Sequence, residues 1–168
     1  MRIRAAIAED AGFLLDMLVE AYNWSGEEWI TRVGVEAEPE LGRYIEGWPR
    51  PDDFGVIAVD DDAPVGAAWA RSFSSAAPGY GYVAADVPEL SMGVVAAERG
   101  RGIGTRLLRA IIEAARGRGV RALSLSVEDG NPAARMYRAA GFATVARKGN
   151  SDTMLLELRA AAPQPPPT

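Results

Sequence analysis

The sequence predicts a mixed α/β fold built as a single domain. The length of 168 residues fits one domain rather than two, and an apolar content of 48% supports a substantial core. The predicted elements follow the order strand, helix, strands, helix, strand, helix, strands, which is typical of a mixed sheet and not of a regular doubly wound one. We expect the domain to span residues 1–159 and the Pro-rich tail, residues 160–168, to be disordered.

The first half of the chain predicts three strands and one long helix. Loose apolar alternation predicts a strand over Met1–Ile7, and an apolar stripe at helical spacing predicts a helix over Asp10–Tyr22. Residues 23–51, rich in Trp and Gly, predict short helices and loops. Two apolar runs around an Asp-rich turn predict a hairpin of strands Phe54–Val59 and Val65–Phe73.

The second half predicts two helices set between strands. An amphipathic pattern predicts a helix over residues 102–116, with its apolar stripe facing the core. The other predicted elements, in chain order, are a strand over Leu90–Val95, a strand over Arg121–Val127, a short helix over Asn131–Ala139, and an antiparallel pair over Phe142–Arg147 and Thr153–Leu158.

The chain contains neither cysteine nor histidine. It therefore has no disulfide, no thiolate nucleophile and no Cys-ligated metal, and it lacks the commonest general base and zinc ligand. These absences exclude Ser-His-Asp and Cys-His hydrolases, and we expect no metal site. Catalysis must use carboxylates, Tyr, Lys, Ser, backbone groups or ordered water.

The charge distribution favours a small phosphorylated ligand over a nucleic acid. The net charge is −5, so the field of the whole molecule opposes nucleic-acid binding. The segment from Arg99 to Arg121, however, contains several arginines and a single acidic residue, Glu113. A solvated basic helix face would show the same pattern.

No apolar stretch is long enough for a membrane helix, and the N-terminus lacks the apolar region of a signal peptide. We therefore expect no membrane association and a cytoplasmic location.

A glycine-rich turn joins the strand that starts at Leu90 to the helix that follows. The first turn of a helix offers free N–H groups and the positive end of its dipole, which attract phosphate oxygens. Gly100, Gly102 and Gly104 leave room for a ligand to approach. The spacing excludes the G-x-G-x-x-G fingerprint, and the lack of a lysine excludes a P-loop. A flexible turn with no ligand remains an alternative.

This turn resembles the signature of the GCN5-related N-acetyltransferase (GNAT) family, Gln/Arg-x-x-Gly-x-Gly/Ala, with Arg99, Gly102 and Gly104 at its fixed positions. The segment Asn131–Phe142 resembles a second family block, with its tyrosine at Tyr137. Taken alone, Asn131 could cap a helix and Tyr137 could be a core aromatic. Because both motifs occur in the correct order and with the correct spacing, a chance resemblance to the family is an inadequate explanation.

The resemblance implies a fold, a cosubstrate and a set of contacts. The fold is a mostly antiparallel twisted sheet, splayed at its middle strands and flanked by about four helices, and the cosubstrate is acetyl-CoA. The pantetheine follows the strand edge, where Gly93 could form a bulge, and the pyrophosphate lies on the glycine-rich turn. The residues assigned to the cosubstrate are Val94, Val95, Ala96, Arg99, Gly100, Arg101, Gly102, Ile103, Gly104, Thr105, Asn131, Ala134 and Tyr137.

The resemblance further implies direct attack of an amine on the thioester. The lack of cysteine independently supports direct transfer, because no cysteinyl acyl-enzyme can form. A backbone N–H of Val94 or Val95 is expected to stabilise the oxyanion, and Tyr137 to protonate the thiolate. Glu89 is the candidate general base, although it could be a solvated residue at the strand start. Glu128 is a weaker candidate.

The acceptor is expected to lie among the aromatic residues of the N-terminal third, with Trp24, Trp29 and Tyr44 as substrate contacts. These side chains could equally belong to the core or to a dimer surface, and a homodimer is a further expectation. A small-molecule amine is the favoured acceptor. The alternatives are a protein N-terminal or lysine acetyltransferase and a non-catalytic acyl-CoA-binding module.

Overall fold

The computed structural model describes residues 1–159, so the predicted tail, residues 160–168, lies outside the described residues. The strands are β1 (Arg2–Ala5), β2 (Phe54–Asp60), β3 (Ala63–Arg71), β4 (Glu89–Val94), β5 (Ala122–Glu128), β6 (Ala143–Lys148) and β7 (Ser151–Glu157). The helices are α1 (Ala11–Tyr22), α2 (Arg32–Ala37), α3 (Pro39–Gly42), α4 (Ile103–Gly117) and α5 (Ala133–Ala139), with single 3₁₀ turns at Ala8–Asp10 and Ala96–Glu98.

The strands form one sheet in the order β1-β2-β3-β4-β5-β7-β6. Every neighbouring pair is antiparallel except β4 and β5, which are parallel and joined by the crossover through α4. These two strands share one registered pair, Glu89 with Ser124, and then separate. The prediction of a mostly antiparallel sheet splayed at its middle strands is confirmed. Five α-helices flank it where about four were predicted.

The helices cover both faces of the sheet. Alternate residues of a strand point to opposite faces, so on β2 Val56 packs in the cluster that contains α4, whereas Ile57 packs in the cluster that contains α1. The apolar stripe of α4, from Ile103 to Ala115, is fully buried. The cleft described below opens between these two layers because β4 and β5 diverge.

The predicted bulge at Gly93 is absent. The register between β3 and β4 runs without a shift through Gly93, which pairs with Ala67. A Cβ at this position would overlap the backbone carbonyl of Met17, so the glycine lets α1 lie directly against β4.

A buried ion pair fixes the irregular segment between α3 and β2. Arg71 on β3 donates to Asp53 at 2.6 Å, and both side chains are almost fully buried. The same guanidinium donates to the carbonyl oxygens of Arg43 (2.8 Å) and Glu46 (2.7 Å). These bonds hold the segment that carries Tyr44 against the sheet.

Within residues 1–159, no helix is both long and apolar enough to cross a lipid bilayer. The cytoplasmic location stays a prediction.

Candidate active site

A cleft of about 730 Å³ opens where β4 and β5 separate. Its walls come from α1 and the loop after it, β4, the start of α4, β5, α5 and the turn between β6 and β7. The site residues predicted from the sequence that line it are Trp24, Trp29, Tyr44, Glu89, Val94, Arg99, Gly100, Gly102, Ile103, Gly104, Thr105, Asn131 and Tyr137.

The predicted site residues outside the cleft wall are Val95, Ala96, Arg101 and Ala134. The N–H of Val95 donates to the carbonyl of Val65 at 2.9 Å, so it points away from the cleft. The Arg101 guanidinium is paired with Asp60 at 2.8 Å and also with Glu98.

The edge of β4 that faces the cleft can be identified from its hydrogen bonds. Successive residues of a strand direct their backbone groups to opposite edges. The N–H of Val95 points to β3, and the carbonyl of Pro88 accepts a bond from Ser124 of β5 at 3.0 Å. The amides of Met92 and Val94 therefore point to the β5 side, where the strands have separated. Of the two amides considered as oxyanion donors, only that of Val94 has this direction.

The start of α4 presents free backbone amides to the cleft. The first amide to bond within the helix is that of Arg106, which donates to the carbonyl of Gly102 at 3.2 Å. The amides of the first turn, Ile103 to Thr105, precede it and have no acceptor in the helix. Gly102 stands at the N-cap with φ of 77°, a left-handed conformation that glycine adopts without strain. This arrangement fits a pyrophosphate.

Arg99 connects the glycine-rich turn to α1. Its guanidinium donates to the carboxylate of Glu20 at 2.7 Å and to the carbonyl of Val94 at 3.3 Å. Both arginines of the turn, Arg99 and Arg101, are thus ion-paired within the protein. The backbone amides, rather than these arginine side chains, are the unpaired donors for an anion.

Tyr137 and Asn131 bound the cleft on the α5 side. Tyr137 is buried with its ring edge against Phe142, at a centroid distance of 5.8 Å. Burial raises the pKa of the Tyr137 hydroxyl to about 12, so the group keeps its proton at neutral pH. The side-chain oxygen of Asn131 accepts a bond at 2.9 Å from the N–H of Ala133, the first residue of α5.

Glu89 begins β4 at the narrow end of the cleft and is only 3% exposed, so the alternative of a solvated residue is wrong. Its Oε1 accepts bonds from the Tyr44 hydroxyl (2.7 Å) and the Gly81 N–H (2.8 Å), while its Oε2 has no partner among the described residues. Burial raises the pKa of Glu89 to about 7, although the two bonds and the charges of Lys148 and Arg43 oppose this.

Tyr44 is held from several directions. Its hydroxyl accepts a bond from the Tyr80 N–H at 2.6 Å, and its carbonyl accepts one from the indole of Trp69 at 2.9 Å. Its ring lies edge-on to Phe73 at 5.1 Å. The side chain can therefore line the cleft and orient Glu89 at the same time.

The two predicted tryptophans lie at the mouth of the cleft. Trp29 is half exposed and donates its indole N–H to the carbonyl of Tyr22. Trp24 lies near the loop after β5, since a Cβ at Gly130 would be 3.7 Å from its ring. The loop after α1 therefore approaches the loop after β5.

Among the cleft residues that were not predicted from the sequence are Tyr80, Met92 and Lys148. Met92 could have been found from the alternation along β4 once Val94 was chosen. Lys148 carried a signal of its own, because it is the single lysine of the chain. Tyr80 follows a loop and carried no local signal.

Known proteins share this architecture. The crystal structure of a ribosomal-protein-alanine N-acetyltransferase from Brucella melitensis is similar at 26% identity, with 92% of this chain and 97% of that chain covered and a TM-score of 0.64. The structure of yncA, a putative acetyltransferase from Salmonella typhimurium with acetyl-CoA, has 22% identity, coverage of 99% and 98%, and a TM-score of 0.71. A phosphinothricin acetyltransferase from Sinorhizobium meliloti in complex with AcCoA has 21% identity, coverage of 94% and 88%, and a TM-score of 0.66.

A search of curated protein sequences gives no match. The model of the acetyltransferase (GNAT) family matches residues 18–142, which include α4, α5 and the whole of the splayed strand pair. The chain therefore belongs to the GNAT acetyltransferase family and is an acyltransferase.

Proposed function

We propose that the protein transfers an acetyl group from acetyl-CoA directly to the amine of a small molecule, with both substrates bound together. The observation that carries the proposal is the composition of the single cleft between β4 and β5. It places the free amides of α4 at one end and the buried pair of Glu89 and Tyr44 at the other, with Tyr137 in the wall.

The donor half of the proposal rests on backbone groups. The first-turn amides of α4 suit a pyrophosphate, and the Met92 and Val94 groups at the open edge of β4 suit the amides of pantetheine. Two of the similar structures were determined with acetyl-CoA. Acetyl-CoA supplies the activated acyl group, and no metal is part of the proposal.

The protein's own residues would handle the protons and the developing charge. The Met92 or Val94 amide lies at the open strand edge, where it can donate to the thioester oxygen as this oxygen gains negative charge. Glu89, whose pKa lies about 7, accepts the proton of the amine. Because the Glu89 side chain is only 3% exposed, we infer that a water carries this proton. The protonated Tyr137 hydroxyl then donates to the departing thiolate.

The position of Trp24 in the wall of the cleft, near the loop after β5, favours a small acceptor. The aromatic walls of the cleft, which include Trp29 and Tyr44, suit an aromatic or cationic amine. A protein N-terminus or lysine is the second candidate, and the Brucella melitensis neighbour carries the name of such an enzyme. A non-catalytic acyl-CoA-binding module has no use for Tyr137 and Glu89 in the cleft. A homodimer stays a prediction.

The proposal is tested by measuring thiol release from acetyl-CoA across a panel of amines, with acetyl-CoA affinity measured separately by calorimetry. Small amines, amino acids, aminoglycosides and N-terminal peptides form the panel. We expect acetyl-CoA binding and turnover with a small amine. Turnover with peptides alone would support the protein-directed alternative, and binding without any turnover would support a non-catalytic module.

A further inference from the structure

The single lysine of the chain, Lys148, lies in the wall of the cleft. It ends β6, where the turn at residues 149–150 leads into β7, and it shares the cleft with Glu128 and Ser151. The other basic residues of the chain are arginines, whose guanidinium groups stay charged and do not act as amine nucleophiles. The cleft of an amine-acetylating protein thus contains a primary amine of its own.

No carboxylate of residues 1–159 lies within 4.0 Å of the Lys148 ammonium, and the side chain is exposed. The neighbouring Arg147 contrasts with it, because Arg147 pairs with Asp152 at 2.9 Å and also with Asp129. Lys148 faces the other way along the strand, toward the cleft, and its charge acts on the carboxyl of Glu89. The amine thus has no ion-pair partner among residues 1–159 and shares the cleft with Glu89 and Tyr137.

We propose that Lys148 is an internal acetyl acceptor, which takes the acetyl group from acetyl-CoA when no other amine occupies the cleft. The inference rests on the proposed function. The ammonium first loses a proton through water to Glu89 or to solvent. The bond from Nζ to the acetyl carbon then forms as the bond from that carbon to sulfur breaks. The nitrogen loses a second proton, and the thiolate leaves as the thiol after taking the Tyr137 proton, so one acetyl-lysine, one CoA and one released proton result.

The alternative internal amine is the N-terminus, and the structure separates the two. The Met1 ammonium forms an ion pair with Asp60 at 3.1 Å and lies beside β1, at the edge of the sheet opposite to β6. Lys148 alone of these two amines lines the cleft. Modification should therefore be confined to one site.

The experiment incubates the purified protein with acetyl-CoA and no added amine, and follows intact mass with peptide mapping. We expect one adduct of about 42 Da on Lys148. Because the transfer is intramolecular, its rate should not depend on protein concentration, and free CoA or a saturating amine substrate should suppress it. The Lys148→Arg variant, which keeps the charge, should give no adduct. The Tyr137→Phe variant should modify Lys148 at least tenfold more slowly.

Chemical acetylation is measured in the same mixture with denatured protein. An adduct that forms at the denatured rate, or that appears on Met1 and persists in Lys148→Arg, overturns the inference. The inference is also overturned if Lys148 stays unmodified in a preparation that is active in acetylating an added amine. Absence of transfer to both Lys148 and every added amine would instead overturn the proposed function, so the two failures are distinguishable.

Discussion

The hydroxyl of Tyr44 lies 2.7 Å from Oε1 of Glu89, which joins the aromatic N-terminal segment to the first residue of β4. Tyr44 is itself fixed through its carbonyl by Trp69. The adjacent carbonyl of Arg43 is fixed by the buried Arg71. A chain of bonds from the interior of β3 thus orients the one buried carboxylate of the cleft and influences its protonation.

Replacing Tyr44 with phenylalanine should move the acid limb of the pH profile to higher pH. The hydroxyl donates to the ionised form of Glu89 and so lowers its pKa, which burial has raised to about 7. A hydrogen bond to a charged group contributes roughly 1.5–3 kcal/mol, and one pH unit corresponds to about 1.4 kcal/mol. We expect the pKa of the acid limb of kcat/KM to rise by about one unit. The value of kcat/KM should therefore fall about tenfold at pH 6 and change little at pH 9.

The other groups that act on Glu89 are the Gly81 N–H, Arg43, Lys148 and Tyr22, and all four are kept in this variant. Tyr82→Phe is the matched control, since Tyr82 packs in the α1 layer outside the cleft wall. A lower kcat with an unmoved limb would show that Tyr44 supports the fold without setting the protonation of Glu89.

Replacing Glu89 with glutamine should remove the acid limb of the pH–rate profile near pH 7 and change how the unfolding free energy depends on pH. The pKa of Glu89 is raised above its ordinary value of 4.5, so the folded protein favours the protonated carboxyl. The stability gained from this carboxyl is fully present below pH 4.5 and is lost as pH rises through about 7. Relative to Glu89→Gln, the unfolding free energy of the wild type should therefore fall by roughly 3 kcal/mol across that window.

Urea unfolding of both proteins from pH 4 to pH 8 measures this difference. A difference that stays constant with pH would mean that Glu89 does not titrate in the folded protein. An unaltered pH–rate profile in Glu89→Gln would place the general base elsewhere.

Replacing Tyr137 with phenylalanine should lower kcat and leave the affinity for acetyl-CoA nearly unchanged. The ring and its edge contact with Phe142 are kept, and the loss is confined to a hydroxyl whose pKa of about 12 keeps it protonated. General acid catalysis contributes about 10²–10⁴-fold, so kcat should fall about a hundredfold or more. Steady-state kinetics together with calorimetric binding of acetyl-CoA separate the two effects, and unchanged turnover would remove Tyr137 from the mechanism.

The donor half of the site could be predicted from the sequence because it is local. The strand, the glycine-rich turn and the helix start that expose free amides lie within one short stretch, Glu89 to Thr105. The free amides at the helix start belong to the backbone and depend little on the rest of the chain. The same holds for the amphipathic α4, whose boundaries differ from the prediction by one residue at each end.

Features that depend on contacts between distant residues could not be predicted in the same way. Tyr44 and Glu89 are 45 positions apart, and the role of Tyr44 follows from their contact. Gly93 shows the same limit, since its close approach to Met17 depends on where α1 packs. The direction of the Val95 amide likewise required the pairing of β4 with β3.

Replacing Gly102 with alanine tests the amide site at the start of α4. Its φ of 77° lies in the left-handed region, where a side chain costs roughly 1–2 kcal/mol, although a Cβ there meets no atom within 4 Å. Relief of that strain should turn the first-turn amides away from the ligand. We expect lower stability and a KM for acetyl-CoA that rises several-fold, while the KM for S-acetylpantetheine, which lacks the pyrophosphate, stays nearly constant.

Gly117→Ala is the control, because Gly117 ends α4 with open space around it and an ordinary φ, so alanine there should stabilise the protein by about 0.4–1 kcal/mol. Equal increases of KM for both donors in Gly102→Ala would mean that the turn positions β4 rather than binding the pyrophosphate.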